Sequence, residues 1–273
     1  MFHSLPLHHK TSQLTKDRVT LPAAISVREF SLKVGGRDVL CDVTLDIRKG
    51  EVLGLIGRTG AGKSVLMRAM CRLLQHERQL ATTGSLTYGD TEVFSPQCDL
   101  PALRRKVAYI PETPNPFPLS VWDNIAYGLK LNQIATSRHE MAEAVETALR
   151  RCMLWDHVRD VLHKRRGVDL PRHQQRLLCI ARSISVQPEV LLLDRSTGSI
   201  DQGEGEALCA LSVDLKKDHA VVTVSATLAE TAQIADRVAY FEQGRLVELD
   251  SAEMIFTAAL KAETRGFIDS TSA

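Results

Sequence analysis

The chain has 273 residues, with 34 lysines and arginines against 33 aspartates and glutamates, and 44% of it is hydrophobic. So even a balance excludes a global field that would draw the protein to nucleic acid or to an anionic membrane, and any partner must be chosen by a local surface. No apolar run approaches the ~18 residues that a membrane span needs, and no secretory apolar region opens the chain, so at a membrane another chain would supply the span.

Residues 1–24 are polar, carry His3, His8 and His9, and show little periodicity. They read as a flexible tail, because no Cys, Asp or Glu nearby completes a metal-ligand set. From residue 25 to residue 273 the pattern is that of one folded unit. Cys41-Asp42-Val43-Thr44-Leu45-Asp46-Ile47 alternates apolar and polar residues at period two, which predicts a half-buried antiparallel strand. Val52 to Ile56 is apolar on both faces and leads into Gly57-Arg58-Thr59-Gly60-Ala61-Gly62-Lys63-Ser64. Ser64 to Leu74 then repeats apolar residues at helical spacing, with Val65, Leu66, Ala69, Met70 and Leu73 on the inner face.

A strand, a glycine-rich loop and a helix in this order form the setting of a P-loop. Its glycines let successive backbone N–H groups converge on phosphate oxygens, Lys63 places a point charge near the β- and γ-phosphates, and Ser64 offers its hydroxyl to Mg²⁺.

Ser85 to Tyr88 and Val107 to Ile110 read as further strands, and the proline-dense Pro111 to Pro118 as a loop that cannot be helix. Ser120 to Arg166 reads as helices, the longest lined by Met141, Ala144, Val145, Ala148, Leu149 and Cys152. A helix over Gln174 to Val186 precedes the buried strand Val190 to Asp194, expected beside the P-loop strand with Asp194 at its tip. A helix (Glu204 to Lys217), a buried strand (Ala220 to Ser225), a short helix and a hairpin turning near Gln243-Gly244 complete the pattern. The six cysteines form no Cys-x-x-Cys pair and read as reduced, mostly buried thiols of a cytoplasmic protein. The order predicts an α/β fold: a P-loop NTPase core with a mixed sheet flanked by helices, an antiparallel β subdomain, and an inserted helical subdomain over about 115–170.

A P-loop, a helical insertion and an apolar run ending in Asp resemble the nucleotide-binding subunit of an ABC transporter. Within that family, the run from Pro114 to Gly128, with Pro116-Phe117-Pro118 leading into Trp122-Asp123-Asn124-Ile125, is similar to the bacterial phosphate-importer ATPases. So are Leu178-Cys179-Ile180-Ala181-Arg182 and Gln187 to Asp194. The resemblance runs from Ile25 to the C-terminus. It implies ATP and Mg²⁺ as cofactors, with Asp194 helping to hold the metal. It also implies head-to-tail pairing with a second copy or a related subunit, and docking of a membrane-spanning permease on Pro114 to Leu131, at the inner face of a bacterial membrane.

Against that family pattern the chain departs at five places. The general-base Glu that follows the strand Asp is matched by Arg195, whose guanidinium is always protonated and accepts no hydrogen bond. Loss of a general base typically reduces turnover by about 10² to 10⁴. The switch His is matched by Ala226, and His219 lies seven strand residues, ~23 Å, too far away to substitute. Glu112 matches the Q-loop glutamine and could still ligate Mg²⁺. The signature segment is matched by Leu170-Pro171-Arg172-His173-Gln174, where proline removes a donor and Arg172 and His173 bring bulk in place of glycines. The adenine-stacking aromatic is matched by Val34. The D-loop Asp201 is kept.

The expectation is therefore a retained fold and phosphate cradle with dismantled hydrolysis. An active importer ATPase using Glu112 as a displaced base, and a nucleotide-free interaction protein, are the two alternatives.

Overall fold

The alternating residues near the start of the described chain build a sheet of their own. The structure, a computed structural model, describes residues 22–194 and 202–272. The histidines of the expected tail, and the expected site residues Arg195 and Asp201, lie outside the described residues. β1 (Ala23–Val34) begins slightly before the expected boundary and pairs antiparallel with β2 (Arg37–Arg48). Val43, Leu45 and Ile47 of β2 are buried while Asp42 and Thr44 are exposed, as the alternation requires. β3 (Val52–Ile56), buried at every position, feeds the P-loop and α1 (Lys63–Met70). β4 (Ala81–Tyr88) and β5 (Thr91–Glu92) then return to the first sheet, giving the order β2-β1-β4-β5.

α1 stops short of its expected end at Leu74. Arg72 takes a left-handed backbone at φ 50°, and Arg104 of α2 (Leu100–Lys106) donates to the carbonyls of Cys71 at 3.2 Å and Arg72 at 2.8 Å, closing the helix terminus. Leu73, expected on the inner face, is consequently 41% exposed, and Met67 takes a place in the core.

β6 (Val107–Ile110) is followed by the proline loop, then by α3 (Val121–Leu131), α4 (Arg138–Arg151) and the single turn α5 (Trp155–Val158). Ser137 and Glu140 form a reciprocal capping box at the start of α4. α6 (Arg172–Ile184), β7 (Val190–Asp194), α7 (Gln202–Leu215), β8 (Ala220–Val224), α8 (Leu228–Ile234), β9 (Arg237–Glu242) and β10 (Arg245–Ser251) follow. Two helices without an expected counterpart, α9 (Ala252–Ala258) and α10 (Ala262–Ser272), end the described chain.

The second sheet has the order β10-β9-β3-β8-β7-β6, parallel except for the antiparallel hairpin β9–β10. This order corrects the expectation that β7 lies beside the P-loop strand: β8 separates them, pairing with β3 through Val52↔Val221 and with β7 through Asp194↔Val224. All three strands are buried along their whole length, so apolar content cannot rank them. Alternate residues divide the core in two. Leu53, Val190, Leu192 and Val222 face α1 and the antiparallel sheet, whereas Val52, Leu191, Leu193 and Val221 face the cluster that includes α3, α4 and α6.

Candidate nucleotide site

Gly57 and Gly62 are required by both backbone and packing. Their φ angles are 139° and 102°, and a Cβ on Gly57 would run into the Phe241 carbonyl, whereas one on Gly62 would stand 2.9 Å from Leu40 Cδ2. The loop is therefore wedged between β9 and β2. The turn of the β9–β10 hairpin anchors it: Gly244 N–H donates to the Ala61 carbonyl at 3.1 Å, and Cys41 N–H donates to the Gly244 carbonyl at 2.9 Å. Gly62 is the N-cap of α1, with no side-chain cap and no acidic residue in the first turn. The open N–H groups and the positive end of the helix dipole therefore face the loop interior.

Lys63 is 7% exposed, and its ammonium donates to the carbonyls of Gly57 at 2.6 Å and Arg58 at 2.9 Å. Burial lowers its pKa, and the nearby Asp194 carboxylate opposes that shift. Lys63 and Asp194 thus share one site although their strands are not neighbours.

Asp194 is held at two points. Tyr109 on β6 donates its phenol O–H to Asp194 Oδ2 at 2.8 Å, and Arg176 on α6 donates to the Asp194 carbonyl at 3.0 Å. Asp194 is 3% exposed, and its Oδ1 has no hydrogen-bond partner among the described residues. A buried carboxylate oxygen without a donor is costly unless a cation or its water ligands complete it. Together with the Ser64 hydroxyl at the loop exit, it fits a hard divalent ion such as Mg²⁺.

Arg176 also donates to the carbonyls of Pro111 at 3.3 Å and Glu112 at 3.0 Å. One buried guanidinium thus ties the ends of β6 and β7 to α6. Pairing of Ile110 with Leu193 ends the β6–β7 ladder, and Glu112 follows two residues past the end of β6. Neither Tyr109 nor Arg176 stood out in the sequence: Tyr109 lies within β6 and Arg176 within α6, far along the chain from Asp194.

The remaining expected positions divide. Ala226 lies just past β8, exposed, and its N–H donates to Glu230 Oε2 at 3.2 Å. His219 is at the far end of β8, with Nδ1 2.7 Å from the Pro188 carbonyl. Val34 is half-buried against the core beside the β1–β2 turn. Leu170 is buried, Pro171 caps α6, and Arg172 and His173 form its exposed first turn, so the helix starts before the expected Gln174. α6 packs chiefly on α3, α4 and β6.

Residues 40–198 match the family described as ABC transporter. The chain belongs to the ABC transporter ATPase family. It is 37% identical to the phosphate import ATP-binding protein PstB 1 of Vibrio vulnificus (strain YJ016), over 90% of this chain and 89% of that one. It is 32% identical to the corresponding PstB 2 of Shouchella clausii (strain KSM-K16), over 94% of each. The solved structure of cbiO1 from Clostridium perfringens, part of the ABC transporter complex cbiONQ, superposes with a TM-score of 0.74 at 20% identity, covering 91% of this chain and 99% of that one. That likeness shows the fold: a P-loop core with an antiparallel sheet and helices, as the element order predicts. Membership in an ABC ATPase family close to the Pst type carries nucleotide binding, with Mg²⁺ its usual companion. No helix among the described residues is long and apolar enough to cross a membrane.

Proposed function

We propose that this family member is the ATP-binding subunit of a phosphate-import-like ABC transporter, which holds MgATP and hydrolyses it slowly or not at all. The observation that carries the reading is the formed cradle, with Lys63 buried inside it and the unpartnered Oδ1 of Asp194 beside it. The groups that would activate water differ. By sequence, Arg195 stands where the family has its base, and Ala226 offers a methyl group and an N–H already taken by Glu230. A guanidinium near the γ-phosphate favours retention of the nucleotide, and the Arg172 and His173 turn replaces the glycines that would close over a partner's ATP.

A second reading has one observation in its favour. Arg176 donates to the backbone carbonyls of both Glu112 and Asp194, which supports a Glu112 near enough to the pocket to serve as a displaced base.

The proposed partners are a membrane-spanning permease and a second ATP-binding subunit, identical or related, at the inner face of a bacterial membrane. Phe117, Leu119, Tyr127 and Leu131 are 37%, 40%, 54% and 69% exposed, which leaves an apolar surface over the expected permease segment. Arg182 stacks on Phe117 at 4.3 Å and Tyr127 meets it edge-on at 5.7 Å, so the surface is held in shape.

Binding and turnover of MgATP by purified wild type, Lys63→Ala and Glu112→Gln test these readings. Binding without turnover supports the first. Lys63-dependent turnover that disappears in Glu112→Gln supports the second, and absence of binding overturns both in favour of a nucleotide-free interaction protein.

A further inference from the structure

Tyr109 is half-buried on β6, the edge strand of the parallel sheet, with its ring against the cluster that contains α1. A buried phenol needs a partner for its O–H, and here that partner is one oxygen of the carboxylate expected to serve the metal. The bond does two things. It satisfies Oδ2, which would otherwise be a second costly orphan in a residue that is 3% exposed. It also fixes the carboxylate plane, since the Asp194 backbone is already pinned by Arg176.

On the reading of this pocket as a MgATP site, we infer that Tyr109 is a positioning residue for the metal. It orients Asp194 so that Oδ1 alone remains open to the ion or to one of its water ligands. The role is that of an outer-shell group, acting on the metal through a ligand rather than by contact. A phenylalanine at this position keeps the ring in the core and removes only the donor, so packing and orientation separate cleanly.

The test uses the purified full chain and a fluorescent ATP analogue, titrated first with a chelator present and then with increasing Mg²⁺ or Mn²⁺. Tyr109→Phe is expected to raise the metal concentration for half-maximal effect by about tenfold. Its metal-free nucleotide affinity should stay within about twofold of wild type. In an Asp194→Asn background, adding Tyr109→Phe should change nothing further, because the two act as one unit.

An unchanged metal dependence in Tyr109→Phe overturns the assignment, as does an equal tenfold loss in both backgrounds. If wild type shows metal-dependent nucleotide binding while either of those results holds, only the role of Tyr109 fails. If wild type binds no nucleotide with or without metal, the MgATP reading fails and this one with it.

Discussion

Asn124 and Phe117 hold each other through a reciprocal pair of hydrogen bonds: Phe117 N–H donates to Asn124 Oδ1 at 2.7 Å, and Asn124 Nδ2 donates back to the Phe117 carbonyl at 3.1 Å. The same amide reaches the carbonyls of Leu119 at 3.1 Å and Ser120 at 2.9 Å. Prolines at 111, 114, 116 and 118 cannot supply backbone donors, so a fully buried side chain stands in for the missing ladder. Asn124→Ala should cost about 3 kcal/mol in urea unfolding, because the Phe117 N–H and carbonyl both lose their partner, while the Leu119 and Ser120 carbonyls keep only the backbone bonds from Gly167 and residue 124. Faster amide exchange at Phe117 would accompany it; an unfolding midpoint equal to wild type would refute this account.

Two glycines of the P-loop should respond differently to the same change. Gly57→Ala places a methyl group against the Phe241 carbonyl and should cost ~3 kcal/mol or more, with loss of nucleotide binding. Gly60→Ala also has a positive φ, 81°, but meets nothing within 4 Å, so backbone strain of about 1 kcal/mol is the whole expectation. Thermal unfolding of the two variants side by side provides the comparison, and equal losses would contradict it.

His219 gives the fold an acid-sensitive point. Its ring is buried, with Nδ1–H donating to the Pro188 carbonyl at 2.7 Å and Nε2 lacking a partner among the described residues, so the neutral form is the one that fits. Burial depresses its pKa below the ordinary 6.5, the Pro188 bond opposes that, Arg151 adds to it, and Asp218 and Asp214 oppose it. In the unfolded chain the ring takes up a proton as pH falls through about 6.5, while the folded protein resists. Stability is therefore complete above that pH and declines below it, toward the depressed folded value. His219→Gln keeps an N–H donor without the titration, and its melting temperature should fall less than that of wild type between pH 7.5 and 5.5.

Glu189 should behave as an ordinary paired carboxylate. A hydrogen bond from Lys49 is the main cause that draws its pKa down to about 2; burial opposes the shift, and Lys106 and Tyr88 add to it. A depressed folded pKa means stabilisation above the unfolded value of 4.5, lost as pH falls from there toward about 2. Its side chain is 32% exposed, and the Lys49 and Lys106 contacts are 2.9 and 3.0 Å. Solvent screening limits the effect of Glu189→Gln to about 1 kcal/mol at pH 7. That difference should shrink in 1 M salt, where the Debye length is roughly 3 Å, and vanish in strong acid.

What could be read along the chain and what could not divides by the range of the interaction. Period-two alternation over Cys41 to Ile47, the mostly apolar runs Val190 to Asp194 and Ala220 to Val224, and the glycine spacing of 57 to 64 are local facts, and each produced the element expected of it. The phosphate loop is likewise largely local, since φ above zero favours glycine at those positions whatever lies around them, although Phe241 and Leu40 add a packing demand from afar. Strand order is different. β7 and β3 carry the same apolar signal as β8, and only the packing of the crossovers placed β8 between them. The bonds from Tyr109 and Arg176 to Asp194 span 85 and 18 residues, and no pattern along the chain distinguishes a phenol or guanidinium that will meet a carboxylate or carbonyl from one that will face water. Sequence thus specified the phosphate loop and Asp194; folding decided which other groups meet them, because burial makes each polar atom find a partner across whatever distance in the chain the packed layers impose.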